Sequence, residues 1–290
     1  MDWEHKNKLL KHGHDMTTID THVHFWKFDK KRDGWITSDM KVLRQDYLPE
    51  HLLLSLKRND VDGVVAVQAD QSEFETHFLV ELAKTHEVIK GVVGWIDLQN
   101  EKLDEKLQYF SKYPVIKGWR HIVQSEPDDF LTKESFQRGI KALQPYNYTY
   151  DILIYHHQLK PALEFVSKSP DQKFVVDHCA KPDIRNKKID EWRILMKEIA
   201  QHSNVCCKLS GLFTETKWKE WSASEFYPYL DTVFDAFGTD RLMFGSDWPV
   251  ILLSGIYVQW KSLLEKYMEN FTEEDREKVF GLNAIGFYNL

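Results

Sequence analysis

Cysteine is scarce in this 290-residue chain: there are three, Cys179, Cys206 and Cys207, two of them adjacent. An odd, clustered set is no disulfide framework, so stability must come from a buried core. Cys206 and Cys207 lie in an apolar run and read as small core residues. Long apolar runs are missing as well. No stretch approaches the ~18 residues that a membrane helix needs, and the N-terminus has no apolar signal core. The reading is a cytoplasmic protein with no membrane partner. Positive charge is in deficit, with 38 Lys and Arg against 45 Asp and Glu and a formal net charge of −7. That argues against nucleic acid as a partner, because phosphate binding wants clustered cations. A Gly-rich phosphate turn is absent too, since His24-Phe25-Trp26 follows the first apolar run. This disfavours an open, doubly wound dinucleotide-binding sheet.

Residues 1–15 differ from the rest. They hold Lys6, Lys8 and Lys11 with His5, His12 and His14, and almost no apolar periodicity. They read as an extension, vector-derived or native, and their histidines are set aside from the site.

From residue 16 onward, short apolar runs alternate with helical patterns. Strands are expected at Thr17–Trp26, Gly63–Ala69, Ile89–Leu98, Val115–Val123, Thr149–Tyr155, Lys173–Cys179, Val205–Ser210 and Arg241–Pro249. Helices are expected at Pro49–Asn59, Glu73–Glu87, Lys102–Lys112, Thr132–Leu143, Gln158–Ser167, Ile189–His202, Ala223–Phe237 and Tyr257–Tyr267. Thr132 reads as an N-cap, as does Thr272 of a last short helix whose first turn is acidic. A strand–helix unit repeated eight times is what one (β/α)8 TIM barrel over residues 16–290 requires.

Catalytic groups of such a barrel sit at the C-terminal ends of its strands. Polar residues recur there: His22 and His24, Gln68, Trp95 and Asp97, Arg120 and His121, His156 and His157, His178, Lys208 and Ser210, and Asp247. Burying such groups without partners is costly, and their coincidence at one face points to a site. His22 and His24 alternate along a strand, so both imidazoles face the mouth. Two neutral imidazoles form half of a divalent metal site or a pair of polarising donors. Ten tryptophans, with Trp26, Trp35, Trp119, Trp218, Trp221 and Trp248 near the expected mouth, suit a polyhydroxylated ring.

The blocks Asp20-Thr21-His22-Val23-His24-Phe25-Trp26, Gly118-Trp119-Arg120-His121, Val176-Asp177-His178-Cys179-Ala180-Lys181-Pro182, Lys208-Leu209-Ser210-Gly211-Leu212 and Phe244-Gly245-Ser246-Asp247-Trp248-Pro249 carry a family resemblance. Together, and in this order, they resemble the amidohydrolase-2 family of the amidohydrolase superfamily. More narrowly they resemble its L-fuconolactonase and L-rhamnonolactonase branch, related to 2-pyrone-4,6-dicarboxylate lactonase. The resemblance runs from about Ile19 to Asn283-Ala284 and implies hydrolysis of an aldonolactone. Metal-rich members of the superfamily carry a carbamoylated Lys or a Glu on strand four, where this chain has Arg120-His121; two metals are not expected.

The mechanism expected on this resemblance is attack of water on a lactone carbonyl. Asp247 is the general base, and Arg120, His22, His24 and His178 polarise the carbonyl and stabilise the oxyanion. Trp26, Trp35, His121, Lys208 and Trp248 are assigned to substrate binding. His22, His24 and Asp247 could hold one zinc, with His156 or His178 as a further ligand; the expectation is no required cofactor, or one weakly bound zinc. The only partner called for is a small sugar lactone, and a homo-oligomer is compatible with everything above. The competing readings are a metal-dependent decarboxylase of the same barrel family and a non-catalytic ligand-binding barrel.

Overall fold

The computed structural model describes residues 16–290, so the extension read at residues 1–15 lies outside the described residues. Eight strands, β1 (Ile19–Val23), β2 (Gly63–Val67), β3 (Ile89–Gly94), β4 (Ile116–Ile122), β5 (Thr149–Leu153), β6 (Phe174–Val176), β7 (Val205–Leu209) and β8 (Leu242–Phe244), pair in parallel in that order. One helix follows each: α1 (Pro49–Arg58), α2 (Glu73–Thr85), α3 (Leu103–Phe110), α4 (Glu134–Lys141), α5 (Leu159–Ser167), α6 (Asp190–Ile199), α7 (Tyr227–Phe237) and α8 (Tyr257–Tyr267). Two short helices end the chain, α9 (Glu273–Glu277) and α10 (Asn283–Tyr288). Parallel strands covered on both faces need apolar residues on both, and Gly63-Val64-Val65-Ala66-Val67 is buried throughout. No helix among the described residues is long and apolar enough to cross a membrane.

The barrel closes where β8 meets β1. The ladder from β7 reaches Gly245, whose N–H donates to Leu209 O at 3.2 Å. The chain then switches partner: Asp247 N–H donates to His22 O (2.8 Å) and His24 N–H to Trp248 O (2.7 Å). Asp20 ties the same seam with one carboxylate. Its Oδ1 accepts from His22 N at 3.0 Å and Ser246 N at 2.9 Å, and its Oδ2 accepts from Tyr257 Oη at 2.9 Å. Burial pushes Asp20 up to about 6, against the hydrogen bonds from Ser246, His22 and Tyr257 that hold it down.

The expected order of elements stands, while several boundaries move. Strand six ends at Val176 rather than Cys179, because residues 178–181 all adopt positive φ. Strand eight ends at Phe244 rather than Pro249, at the partner switch. Strands one and three also stop early, at Val23 and Gly94. Thr132 is not an N-cap: it closes a 3-10 turn, and the helix begins at Glu134 behind Lys133. Thr272 does cap α9, its side chain accepting from Asp275 N at 3.1 Å. Cys207 is buried as expected, and Cys206 is half-buried.

Inside the barrel the strand period of two sorts side chains into layers. At the bottom Ile19, Val65, Val67, Val93, Val175 and Met243 form an apolar layer, closed from below by Ala284 and Tyr288 of α10. Two residues along from Val175 comes Asp177, and β5 and β7 supply Asp151 and Lys208; all three are fully buried. The next layer up is the mouth.

Candidate active site

His22 and His24 lie on and just beyond the end of β1, both buried. His24 Nδ1 pairs with Val67 O at 2.8 Å, which places its proton there and leaves the Nε2 lone pair free. That Nε2 sits 3.4 Å from Asp247 Oδ1. The Nε2 atoms of His22 and His178 are each 3.9 Å from the same oxygen. Three imidazoles therefore surround one carboxylate oxygen at distances longer than direct hydrogen bonds. The His22 ring stands edge-on to both others, with centroids at 4.9 Å from His24 and 4.3 Å from His178. Asp247 reaches this point because its backbone is left-handed, at φ 59°, a conformation Asp tolerates better than most residues.

Arg120 reaches the same point from β4. Its Nη1 donates to Asp177 Oδ2 at 3.1 Å and to His22 Nε2 at 3.2 Å, and its Nη2 donates to Gln68 O. Its buried Nε has no partner among the described residues. Below it, Lys208 Nζ lies 2.5 Å from Asp151 Oδ2 and 3.1 Å from Asp177 Oδ1. Tyr288 Oη donates to both oxygens of Asp151, at 3.0 and 2.9 Å. Two buried cations thus face two buried carboxylates, the condition under which such charges are tolerated. Burial disfavours charge on Asp177, but Lys208, His22 and Arg120 outweigh it and hold the carboxyl well below its usual range. Burial, with Lys208 alongside, drives His22 well below the usual histidine range. Burial with His22 alongside does the same to His178. Both rings are neutral.

These groups form the floor of a cavity of about 280 Å³, with His24, Arg120, His178 and Asp247 in its lining. Trp26 and Trp35 form one wall, their rings edge-to-face at 6.0 Å. Lys181, Gln124 and Ser125 add polar groups around the rim. The other three residues expected to bind substrate do not line it. Trp248 is buried behind the wall, edge-on to Tyr47 at 5.1 Å. His121 is held between Trp95 Nε1 (3.2 Å) and Glu126 Oε1 (2.9 Å). Lys208 lies beneath the floor in its ion pairs. Each has apolar or charged neighbours that pull it out of the mouth. Trp119 packs in the outer core against Phe110 and Tyr148.

On strand five, His156 turns its Nδ1 to Lys181 O at 2.9 Å, and His157 is exposed beside Asp128. Neither joins the histidine cluster. One divalent cation fits the donors that do: His22, His24 and Asp247 offer ligand atoms all within 4.8 Å of one another. His22 with Asp177 and His178 forms a second such group. Sequence reasoning missed Asp151, Asp177, Lys181 and Tyr288 as parts of the site. A lone Asp in the apolar run Tyr150–Tyr155 was a readable signal for the first of these; Tyr288, from the last helix, left none.

A family profile described as amidohydrolase matches residues 19–290. The L-fucono-1,5-lactonase of Burkholderia multivorans is 36% identical over 284 residues, covering 94% of this chain and 96% of that protein. The L-fucono-1,5-lactonase of Burkholderia ambifaria is 32% identical over 277 residues, covering 94% and 95%. Crystal structures of an amidohydrolase from Burkholderia multivorans, one with bound zinc and one with bound HEPES, superpose at a TM-score of 0.91. Their sequence identity is 37%, and the match covers 94% of this chain and 99% of theirs. A match over nearly all the described residues, with relatives above 30% identity, places this chain in the amidohydrolase family.

Proposed function

We propose that this protein hydrolyses a six-membered sugar lactone of the L-fucono-1,5-lactone type to its aldonic acid. The observation that carries this reading is Asp247, a carboxylate ringed by three histidines and Arg120 at the floor of a cavity walled by two tryptophans. Kinship with two L-fucono-1,5-lactonases supports it. Asp247 takes a proton as a water oxygen adds to the lactone carbonyl carbon. Arg120 supplies its unpartnered Nε–H to the developing oxyanion, with His178, whose Nδ1 is held by Ser210 Oγ, as the imidazole beside it. His22 and His24 orient Arg120 and Asp247. When the bond between the carbonyl carbon and the ring oxygen breaks, Asp247 returns the proton to that oxygen. Trp26 and Trp35 offer apolar faces to the sugar ring. The test is a pH-indicator assay of acid release from a panel of 1,4- and 1,5-aldonolactones, run beside an assay for carbon dioxide from aromatic acids. Release of carbon dioxide without lactone hydrolysis would replace this reading with a decarboxylase.

Zinc held by His22, His24 and Asp247 would add Lewis-acid polarisation of the carbonyl. Arg120 already donates to His22 Nε2 at 3.2 Å, so an ion there must displace that bond and sit beside a fixed positive charge. We therefore expect at most one zinc per chain by elemental analysis, and activity largely retained after exhaustive chelation. Activity lost on chelation and restored only by zinc would make the histidines obligatory ligands.

His178 is held by Ser210 Oγ at 2.8 Å, and Gly211 makes room for it. A Cβ on Gly211 would come within 2.5 Å of His178 Nδ1, and its φ is 66°. Gly211→Ala should therefore lower stability by about 1 kcal/mol or more and reduce lactonase turnover by displacing the imidazole. Thermal melts and initial rates check both effects.

A further inference from the structure

Four consecutive residues that are not glycine, His178, Cys179, Ala180 and Lys181, have φ of 53°, 52°, 57° and 46°. Residues of natural chirality visit this region singly and seldom in runs, and such strain persists only where the surroundings enforce it. Here they do. The Lys181 N–H donates to His178 O at 2.8 Å, closing the turn. Trp192 Nε1 donates to Cys179 O at 2.8 Å, and His156 Nδ1 holds Lys181 O at 2.9 Å. Cys179 Sγ reaches Lys208 O at 3.4 Å. One helical turn of either hand brings residues three apart to the same side. Both His178 and Lys181 line the cavity.

The Lys181 side chain is itself guided. Its Nζ lies over the Tyr155 ring, 5.5 Å from the centroid, and 4.0 Å from Glu215 Oε1. Both Lys181 and Glu215 keep less than a fifth of their side chains exposed. Burial raises the Glu215 carboxyl, and Lys181 opposes the rise. Lys181 is a donor at the rim, with Glu215 behind it, on a different element from the Arg120 that serves the floor. The reaction proposed above uses neither.

We propose that Lys181 is a substrate-positioning and specificity-determining residue: its ammonium, steadied by Glu215 and Tyr155, donates hydrogen bonds to ring hydroxyls of the sugar lactone. The strained turn serves to bring that cation alongside His178. This rests on the lactonase reading for the identity of the ring, and the contact itself needs no chemistry. The test separates the two.

Lys181→Gly relieves the positive φ but leaves Glu215 without its cation, so the two effects oppose and the thermal midpoint should stay within a few degrees of native. Its kcat/KM for L-fucono-1,5-lactone should fall roughly 10–100-fold, mostly through KM, the size of one charge-assisted hydrogen bond. Lys181→Arg keeps a cation and should recover most of the loss. Titration calorimetry with L-fucose, a pyranose with hydroxyls and no lactone carbonyl, reads the contact directly, and Lys181→Gly should weaken binding to a similar degree. A native protein that binds L-fucose through Lys181 but opens no lactone sinks the lactonase reading and leaves this inference standing. The inference is overturned if the native protein binds no pyranose, if Lys181→Gly binds it as tightly as the native chain, or if the variant loses kcat and thermal midpoint together.

Discussion

Replacing Asp247 with Asn is expected to cut lactone turnover by about 100-fold or more. Asn matches Asp in size and is among the residues that accept left-handed backbone, so the φ of 59° at this position is not disturbed. The cross-seam bond from residue 247 N–H to His22 O, at 2.8 Å, is a backbone bond and survives the change. What is lost is the basic oxygen 3.4 Å from His24 Nε2 and 3.9 Å from those of His22 and His178. An amide cannot take the proton of the attacking water. The fall should therefore appear in kcat, with the thermal midpoint within a few degrees of native. Turnover within about threefold of native would show that the proton goes elsewhere, and a neutral histidine would become the candidate base.

The second large effect concerns stability and comes from Lys208. Its ammonium lies between Asp151 at 2.5 Å and Asp177 at 3.1 Å, with all three side chains fully buried. Lys208→Met keeps the apolar stem and leaves two carboxylates with one remaining cation, Arg120, which reaches only Asp177. Removing one partner of a buried pair costs about 3–5 kcal/mol, chiefly through the uncompensated charge left behind. At about 2–4 °C per kcal/mol for a chain of this class, the melting midpoint should fall by roughly 10 °C. Adding Asp151→Asn removes the carboxylate orphaned by the first change and should restore part of the loss. A double-mutant cycle by thermal or denaturant unfolding measures that coupling. A midpoint within about 2 °C of native in Lys208→Met, a change of about 1 kcal/mol or less, would show that the buried pairs contribute little.

Much of this architecture can be read from residues. Short continuous apolar runs such as Gly63–Val67 identify buried strands, and eight of them alternating with helices leave few alternatives to a barrel. His22, His24, Arg120, His178 and Asp247 stand out because each is a polar residue closing an apolar run. The structure brings all five to one end. What escapes a sequence reading is set by tertiary contacts. Nothing local announces the left-handed turn at His178–Lys181, since it contains no glycine and is enforced by Trp192 and His156 from other elements. Nor does spacing tell a rim lysine from one beneath the floor. Lys208 is drawn inward by Asp151 and Asp177, while Lys181 is held outward by Glu215. The His156-His157 pair was likewise ambiguous, because a strand end can rotate either ring inward; here a backbone carbonyl captures one and solvent the other.

The central claim is that water opens a sugar lactone at Asp247. It is tested most directly by the initial rate of acid release from L-fucono-1,5-lactone, with native protein and Asp247→Asn measured side by side against the spontaneous rate in the same buffer. The account predicts saturable hydrolysis well above background for the native chain and near-complete loss in the variant. Native protein that leaves the spontaneous rate unchanged, or a variant that matches the native rate, would contradict it.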